Sequence, residues 1–371
     1  MYQRFARPLL FRLDPERAHD LAVGACGALG RSPFARAATA RVFGPPSDSL
    51  LRTTVAGIDF PSPVGLGAGW DKSGSAVDIL TRMGFGSVEV GSVSRWPSTG
   101  NAVRPRVFRL PDDEALIINY GVPNDGSEVV ARRLAASHPA VPLGVNLVET
   151  NTGTAPEAEA AIEELVAGAA AFAGLADFLV ISAECANMAG AHPFAKLENL
   201  QRLLEALTTI GKLPLLFIKI RVPTDAIERV LRITDGYPFV RGFRINTIAP
   251  RPYSGLRTPQ TQWEAMAGSL SSPAIGFPAM LRTVREWYLR SDPARYALLA
   301  SGGVRSGKDA YAAIRSGASL VQFVTALVFE GPALAQRINR QLAEILRADG
   351  ITSVNGAVGA DVKDERVSYA P

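Results

Sequence analysis

The sequence predicts an α/β protein, a (β/α)8 TIM barrel with a small N-terminal helical extension. Eight short apolar runs recur along the chain, each followed by a Gly, Ser, Asn or Pro break, and amphipathic stretches of helical length lie between most of them. The 371 residues are 47% hydrophobic and 20% charged, enough to bury one large core with appendages. Continuous apolar strands alternating with helices mean a parallel sheet buried on both faces, and eight such units mean a closed barrel.

Taken in order, strands are predicted at 64–67, 87–90, 142–147, 178–183, 215–220, 242–247, 296–300 and 320–324. Helices are predicted at 75–83, 155–173, 196–210, 226–235, 277–290 and 307–316, and a last one at 333–348 closes the chain. The stretch 165–182, rich in Ala and Gly and interrupted by Asp177, reads as a helix end followed by a strand rather than a membrane span. Two segments fall outside the repeat. In residues 1–47, Arg4, Arg7, Arg12 and Arg17 lie among Phe5, Leu9, Leu10, Phe11 and Leu13, which predicts short amphipathic helices outside the barrel. Such a segment serves either as a cap on the barrel bottom or as a basic surface at a membrane interface. The barrel unit is then 48–371. Within it, 92–140 is a long insertion after the second strand, where insertions commonly build the active site.

Composition excludes several classes of function. The formal charge is +4 and the two cysteines, Cys26 and Cys185, cannot make a disulfide framework. The three histidines, His19, His138 and His192, are far apart and show no ligand spacing with the cysteines, so no metal site is expected. The N-terminus lacks the pattern of a secretory signal, and a reducing, cytoplasmic setting is expected. The basic pI of 9.2 comes from dispersed Lys and Arg without a basic run or interleaved aromatics, so nucleic acid is not an expected partner.

In such a barrel the chemistry projects from the C-terminal ends of the strands. Those ends carry Gly69, Asp71 and Lys72; Gly91 and Ser92; Asn146; Cys185 and Asn187; Lys219; Asn246 and Thr247; and Ser301, Gly302 and Gly303. Lys219 sits inside the apolar run L-F-I-K-I and needs an anionic or electron-rich partner to offset its desolvation. The Gly302–Gly303 turn and the loop at Val324-Thr325-Ala326 stand where barrels bind phosphate through backbone N–H groups. A phosphate site beside an interior Lys and Asn residues suits flavin mononucleotide (FMN), since a cation near its pyrimidine edge stabilises the reduced, anionic ring.

Several stretches then resemble the class 2, quinone-reducing, membrane-associated dihydroorotate dehydrogenases, over nearly the whole chain. These are M-Y-Q-R-F-A-R-P-L-L-F-R-L-D-P-E-R-A-H (1–19), G-A-G-W-D-K-S-G (67–74), M-G-F-G-S-V-E-V-G-S-V (83–93), R-P-R-V-F-R-L (104–110), G-A-S-L-V-Q-F-V-T-A-L-V-F-E-G-P (317–332) and D-G-I-T-S-V-N-G-A-V-G-A-D (349–361). The resemblance implies FMN held by Ala68, Gly69, Ser92, Asn146, Lys219, Asn246, Ser272, Gly302, Gly303, Val324 and Thr325. It implies a substrate pocket formed by Lys72, Asn187, Asn246 and Thr247, with Ile118 and Ser182 at two further substrate positions. Cys185 falls where the family carries its catalytic base; class 2 enzymes use Ser there, and a thiol titrates far lower than a hydroxyl while remaining a competent base. Quinone is the implied electron acceptor, reached through an N-terminal segment that touches the inner face of the cell membrane peripherally.

Departures from the family pattern cluster in the pocket. N-R-M-G-F-N-N is replaced by I-N-Y-G-V-P-N (118–124), and N-x-S-S-P-N-T-P-G by S-A-E-C-A-N-M-A-G (182–190), so two amides become Ile118 and Ser182. A glycine- and lysine-rich stretch becomes V-E-T-N (148–151), S-G becomes Ser271-Ser272, and the usual Tyr becomes Val324. A site built for hydrogen bonds discriminates poorly without them. The sequence therefore favours an FMN-dependent oxidoreductase whose pocket is remodelled for a related cyclic or carbonyl-activated substrate, with Cys185 as acid/base. The alternatives are true dihydroorotate oxidation in pyrimidine biosynthesis, with Asn119 or Tyr120 supplying lost contacts, a flavin-binding protein without turnover, or a tRNA-reducing flavin barrel, which lacks its RNA-binding appendage here.

Overall fold

The structure is a computed structural model that describes residues 2–44, 47–184, 188, 192–247 and 253–366. The strands in chain order are β1 (Thr53–Val55), β2 (Ile58–Phe60), β3 (Val64–Leu66), β4 (Ser87–Val93), β5 (Val107–Leu110), β6 (Ala115–Ile118), β7 (Leu143–Leu147), β8 (Phe178–Ser182), β9 (Leu215–Lys219), β10 (Val240–Asn246), β11 (Ser269–Ser271), β12 (Ala297–Ser301) and β13 (Leu320–Phe323). Eight of them, β3-β4-β7-β8-β9-β10-β12-β13, pair in parallel and close into a barrel, each neighbour following the last in chain order. The predicted (β/α)8 architecture is therefore present, with each predicted strand within a few residues of its place.

The apolar runs form strands because both of their faces are covered. Along β8, Leu179 and Ile181 face the surrounding helices, while Phe178 and Val180 point inward and join Phe217, Leu299 and Leu320 in an interior apolar plug. That plug is closed from below by Val55 and Phe60 of the antiparallel β1–β2 hairpin. Above it the same inward positions turn polar: Glu89, Asn146, Ser182, Arg244 and Gln322 are all buried. Alternation along each strand thus stacks an apolar layer under a polar one, and the polar layer lies toward the strand C-termini.

Helices Ala158–Ala171, Leu197–Leu207, Ile227–Asp235, Pro273–Arg290, Gly307–Arg315 and Leu334–Ala348 lie between or after the barrel strands. The helix predicted at 75–83 is reduced to Val77–Leu80. The Asp71 carboxylate accepts the N–H groups of Ser75 and Ala76 at 2.9 and 2.7 Å and holds the approach as a loop, while Arg82 and Met83 donate to carbonyls only three residues back and tighten the exit.

The insertion is more ordered than its turn residues suggest. β5 and β6 pair antiparallel, helix Ser127–Ala135 follows, and β11, which comes after barrel strand β10, joins them by pairing Ser269 with Ile118 and Ser271 with Leu116. In the N-terminal segment, Asp14 caps helix Pro15–Gly30 by accepting from Glu16 and Arg17, both at 3.0 Å, and Ser32 caps Pro33–Phe43. These helices are not a cap on the barrel bottom, which the β1–β2 hairpin closes. Residues of Pro15–Gly30 instead share a cavity with the C-terminal strand ends.

Candidate active site

A cavity of about 620 Å³ opens at the C-terminal mouth of the barrel and continues to the N-terminal helices. At the barrel end it is lined by Ala68 and Gly69 after β3, Gly91 and Ser92 on β4, Lys219 on β9, Asn246 and Thr247 at the end of β10, and Ser301, Gly302 and Gly303. Lys72, Ile118, Val324 and Thr325 complete that wall. The far end is apolar, with Ala6, Leu10, Phe11, Ala18, Ala22 and Cys26 among its lining residues. One space therefore has a polar half made by strand ends and an apolar half made by helices.

Three residues expected at the ligands lie behind the wall. Asn146 is buried; its Oδ1 accepts from the hydroxyls of Ser92 at 2.5 Å and Ser182 at 3.2 Å, and its Nδ2 donates to Glu89 at 2.9 Å. Ser182, expected toward the substrate, is wholly buried and its hydroxyl is turned to Asn146 instead. Ser272 is buried and its hydroxyl meets no partner among the described residues. Its neighbour Ser271 lines the cavity and meets the Thr325 hydroxyl at 2.7 Å, so at this corner the exposed hydroxyls come from Ser271 and Thr325.

The Gly302–Gly303 turn has φ values of +138° and +78°. A Cβ on Gly302 would stand 2.7 Å from Thr247 Oγ1, so the turn both needs glycine for its backbone and leaves the Thr247 hydroxyl in place beside the cavity. Backbone exposed in this way, with the Ser271–Thr325 pair and the N-terminus of the 18-residue helix Pro273–Arg290 nearby, suits a phosphate-bearing ligand.

At the junction of the two halves Lys72 Nζ donates to His19 Nε2 at 2.9 Å and stands 4.2 Å from the centre of the Tyr120 ring. Burial pushes the Lys72 ammonium down to about 8, against the opposing pull of Asp20, Asp71 and Glu16. Burial, with the Lys72 charge adding to it, lowers His19 to about 3, so the imidazole is neutral and accepts from the ammonium. Burial also raises the Tyr120 phenol. The same helix is fixed by a buried ion pair between Glu16 and Arg106, and Arg104 adds a contact to Glu16 at 3.1 Å. Cys26, on the apolar side, is pushed up to about 11, chiefly by burial, which keeps it a protonated thiol near neutral pH.

Cys185 and Asn187 lie outside the described residues. Of the described residues near them in sequence, Met188 packs against Val122 and Val148, and the His192 Nδ1–H donates to buried Glu149 at 3.0 Å. Among the described residues there is no group of three or more His, Cys, Asp or Glu side chains able to hold a metal ion.

Sequence reasoning missed Glu89, Arg244 and Gln322, which meet inside the barrel, and the pairing of His19 with Lys72. The first three had a visible signal. Each is a polar residue inside an apolar strand, the same oddity that singled out Lys219.

The family profile described as Dihydroorotate dehydrogenase matches residues 50–346. The chain is 37% identical to a dihydroorotate dehydrogenase (quinone) of Rhodospirillum rubrum, covering 98% of this chain and 96% of that protein. It is also 37% identical to one of Thermobifida fusca, with 98% and 97% covered. Among solved structures, DHODH from Eimeria tenella in complex with ferulenol superposes with a TM-score of 0.80 at 27% identity, covering 94% of this chain and 96% of that one. Relatives so named give no support to a remodelled substrate over dihydroorotate itself. The chain is an oxidoreductase acting on CH–CH groups, and it belongs to the dihydroorotate dehydrogenase family.

Proposed function

We propose that the protein oxidises dihydroorotate to orotate and delivers the two electrons to a quinone, using FMN bound at the barrel mouth. The observation that carries this reading is the two-ended cavity, whose polar half suits a phosphorylated cofactor and a small polar substrate and whose apolar half suits a hydrophobic acceptor. When bound, FMN would supply a two-electron centre able to take up a hydride and to give two electrons to a quinone. Its phosphate would be held at Gly302, Gly303, Ser271 and Thr325. Its ring would lie against Ala68, Gly69, Ser92, Lys219 and Asn246, with Val324 beside Gly67. Asn146 and Ser272 would act from behind this wall, Asn146 by orienting the Ser92 hydroxyl.

Oxidising a CH–CH group to C=C removes a proton from one carbon and a hydride from the other. Cys185 takes the proton as general base. Lys72 pairs with the substrate carboxylate, while Asn187, Asn246 and Thr247 orient the ring. No helix among the described residues is long and apolar enough to cross a membrane. The quinone enters through the helical end, where Phe5, Leu9, Leu21 and Phe34 are exposed and interspersed with arginines, a surface suited to peripheral contact with the cytoplasmic face of a membrane.

A second reading, oxidation of a related but less polar substrate, is favoured by Ile118 lining the cavity and by Ser182 turning its hydroxyl away. An anaerobic titration of the purified yellow protein with dihydroorotate separates the two. Stoichiometric bleaching of the flavin absorbance is the result expected of the first reading. No bleaching by dihydroorotate, with the flavin still reducible by dithionite, overturns it in favour of the second.

A further inference from the structure

Inside the barrel lies a charge pair that the reaction above does not use. Glu89 is fully buried; its Oε1 accepts from Arg244 Nη1 at 2.6 Å and from Asn146 Nδ2 at 2.9 Å, and its Oε2 accepts from Gln322 Nε2 at 2.9 Å. Arg244 is 5% exposed, and its Nε–H is buried without an acceptor among the described residues. A buried ion pair is a weak source of stability, because apolar side chains of similar size do as well in its place. An unpaired N–H on the cation makes it weaker still. The pair calls for a reason other than holding the barrel together.

Its position supplies one. Arg244 Nη2 stands 2.9 Å from where a Cβ on Gly67 would be, with Val324 and Gln322 side chains flanking the same point at 3.4 and 3.5 Å. Gly67 therefore leaves room for a guanidinium that crosses the barrel from β10 to the end of β3. The residues that follow it, Ala68 and Gly69, line the cavity; so do Val324 and Arg244 itself, whereas Glu89 does not. The cation is at the surface of the cavity floor and its counter-charge is one layer below. The carboxylate is held in turn by Asn146 and Gln322, so Arg244 keeps its anchor whatever occupies the mouth.

We propose that Arg244, anchored by Glu89, is an electrostatic floor for bound FMN that favours its reduced form over its oxidised form and so sets the potential of the enzyme. This rests on the FMN reading above. Reduction of FMN by two electrons and one proton leaves an anionic ring, and a fixed, buried cation stabilises that charge far more than solvent-exposed lysines do. Glu89 offsets part of the effect but acts from further away.

The test is the two-electron midpoint potential of the holoenzyme, read by dye equilibration, in wild type, Arg244→Met, Glu89→Gln and the double variant. Arg244→Met is expected to weaken reduced FMN relative to oxidised FMN about tenfold, a downward shift of about 30 mV. Glu89→Gln is expected to shift the potential upward. The double variant leaves no buried charge unpaired, so it carries the test if Arg244→Met does not fold, and it is expected below wild type because the nearer charge dominates. Potentials that coincide with wild type in all folded variants overturn the inference while leaving the FMN reading intact. A wild-type protein that takes up no FMN overturns that reading and the inference with it.

Discussion

Lys72 and His19 meet at 2.9 Å, one from the loop after the first barrel strand and the other from the N-terminal helix, and both line the cavity. Because the imidazole is held neutral, the lysine is the group that titrates in the working range, with its ammonium lowered to about 8. The contact fixes where the barrel's polar chemistry stops and the helices' apolar channel begins.

A pH dependence follows from the sign of that shift. Below about pH 8 Lys72 is a cation able to pair with a carboxylate, and above it the free enzyme loses the charge. With dihydroorotate, kcat/KM is expected to fall on the alkaline side with a midpoint near 8, since that ratio reports the free enzyme. In Lys72→Arg, which stays charged, the alkaline limb is expected to disappear even if activity is lower. For stability the sign is opposite: between about 8 and the usual lysine value the unfolded chain binds the extra proton, so the cost of keeping Lys72 charged is relieved as pH rises.

Cys185→Ala is expected to slow flavin bleaching by dihydroorotate by a factor of about 100 or more, the scale of a lost general base. FMN affinity, followed by fluorescence quenching, is expected to stay near wild type. An unchanged bleaching rate would remove Cys185 from the reaction.

Gly302→Ala places a methyl group where φ is +138° and the Thr247 hydroxyl is 2.7 Å away. Fluorescence titration of the apoprotein is expected to show FMN bound at least about tenfold more weakly, as one misplaced turn costs more than 1 kcal/mol. Gly24→Ala, where a Cβ meets nothing within 4 Å, is expected to leave binding unchanged.

Arg106→Met leaves Glu16 buried without its main partner. Breaking such a pair costs about 3 kcal/mol or more. The loss is expected to appear as faster limited proteolysis within helix Pro15–Gly30 at a lower Tm.

The barrel was legible because parallel strands covered on both faces must be apolar throughout, and runs such as F-L-V-I-S stand out against amphipathic helices. The β1–β2 hairpin was not, since T-T-V and I-D-F are three-residue strands too short for a periodic signal. The small sheet in the insertion escaped because its β11 comes from 151 residues beyond Ile118, the residue that Ser269 pairs with, and no local pattern encodes that pairing. At the site, strand-end positions gave most of the cavity wall. Ser182 holds its expected strand position, but its hydroxyl turns to Asn146, a choice that depends on a neighbouring strand and that no local pattern shows. Glu89 and Arg244, 155 residues apart, each look anomalous alone and make sense only as a pair across the barrel.

The proposed function requires one cavity to join substrate oxidation at the barrel mouth to quinone reduction at the helices. It is tested by bleaching the holoenzyme anaerobically with dihydroorotate, adding one equivalent of a short-chain quinone and following return of the flavin absorbance, in wild type and in Ala22→Trp, which fills the helical end. Full recovery in wild type, with bleaching kept but recovery slowed at least about tenfold in the filled variant, is the expected result. Recovery at the same rate in both proteins would contradict the account, because the electrons would then leave by another route.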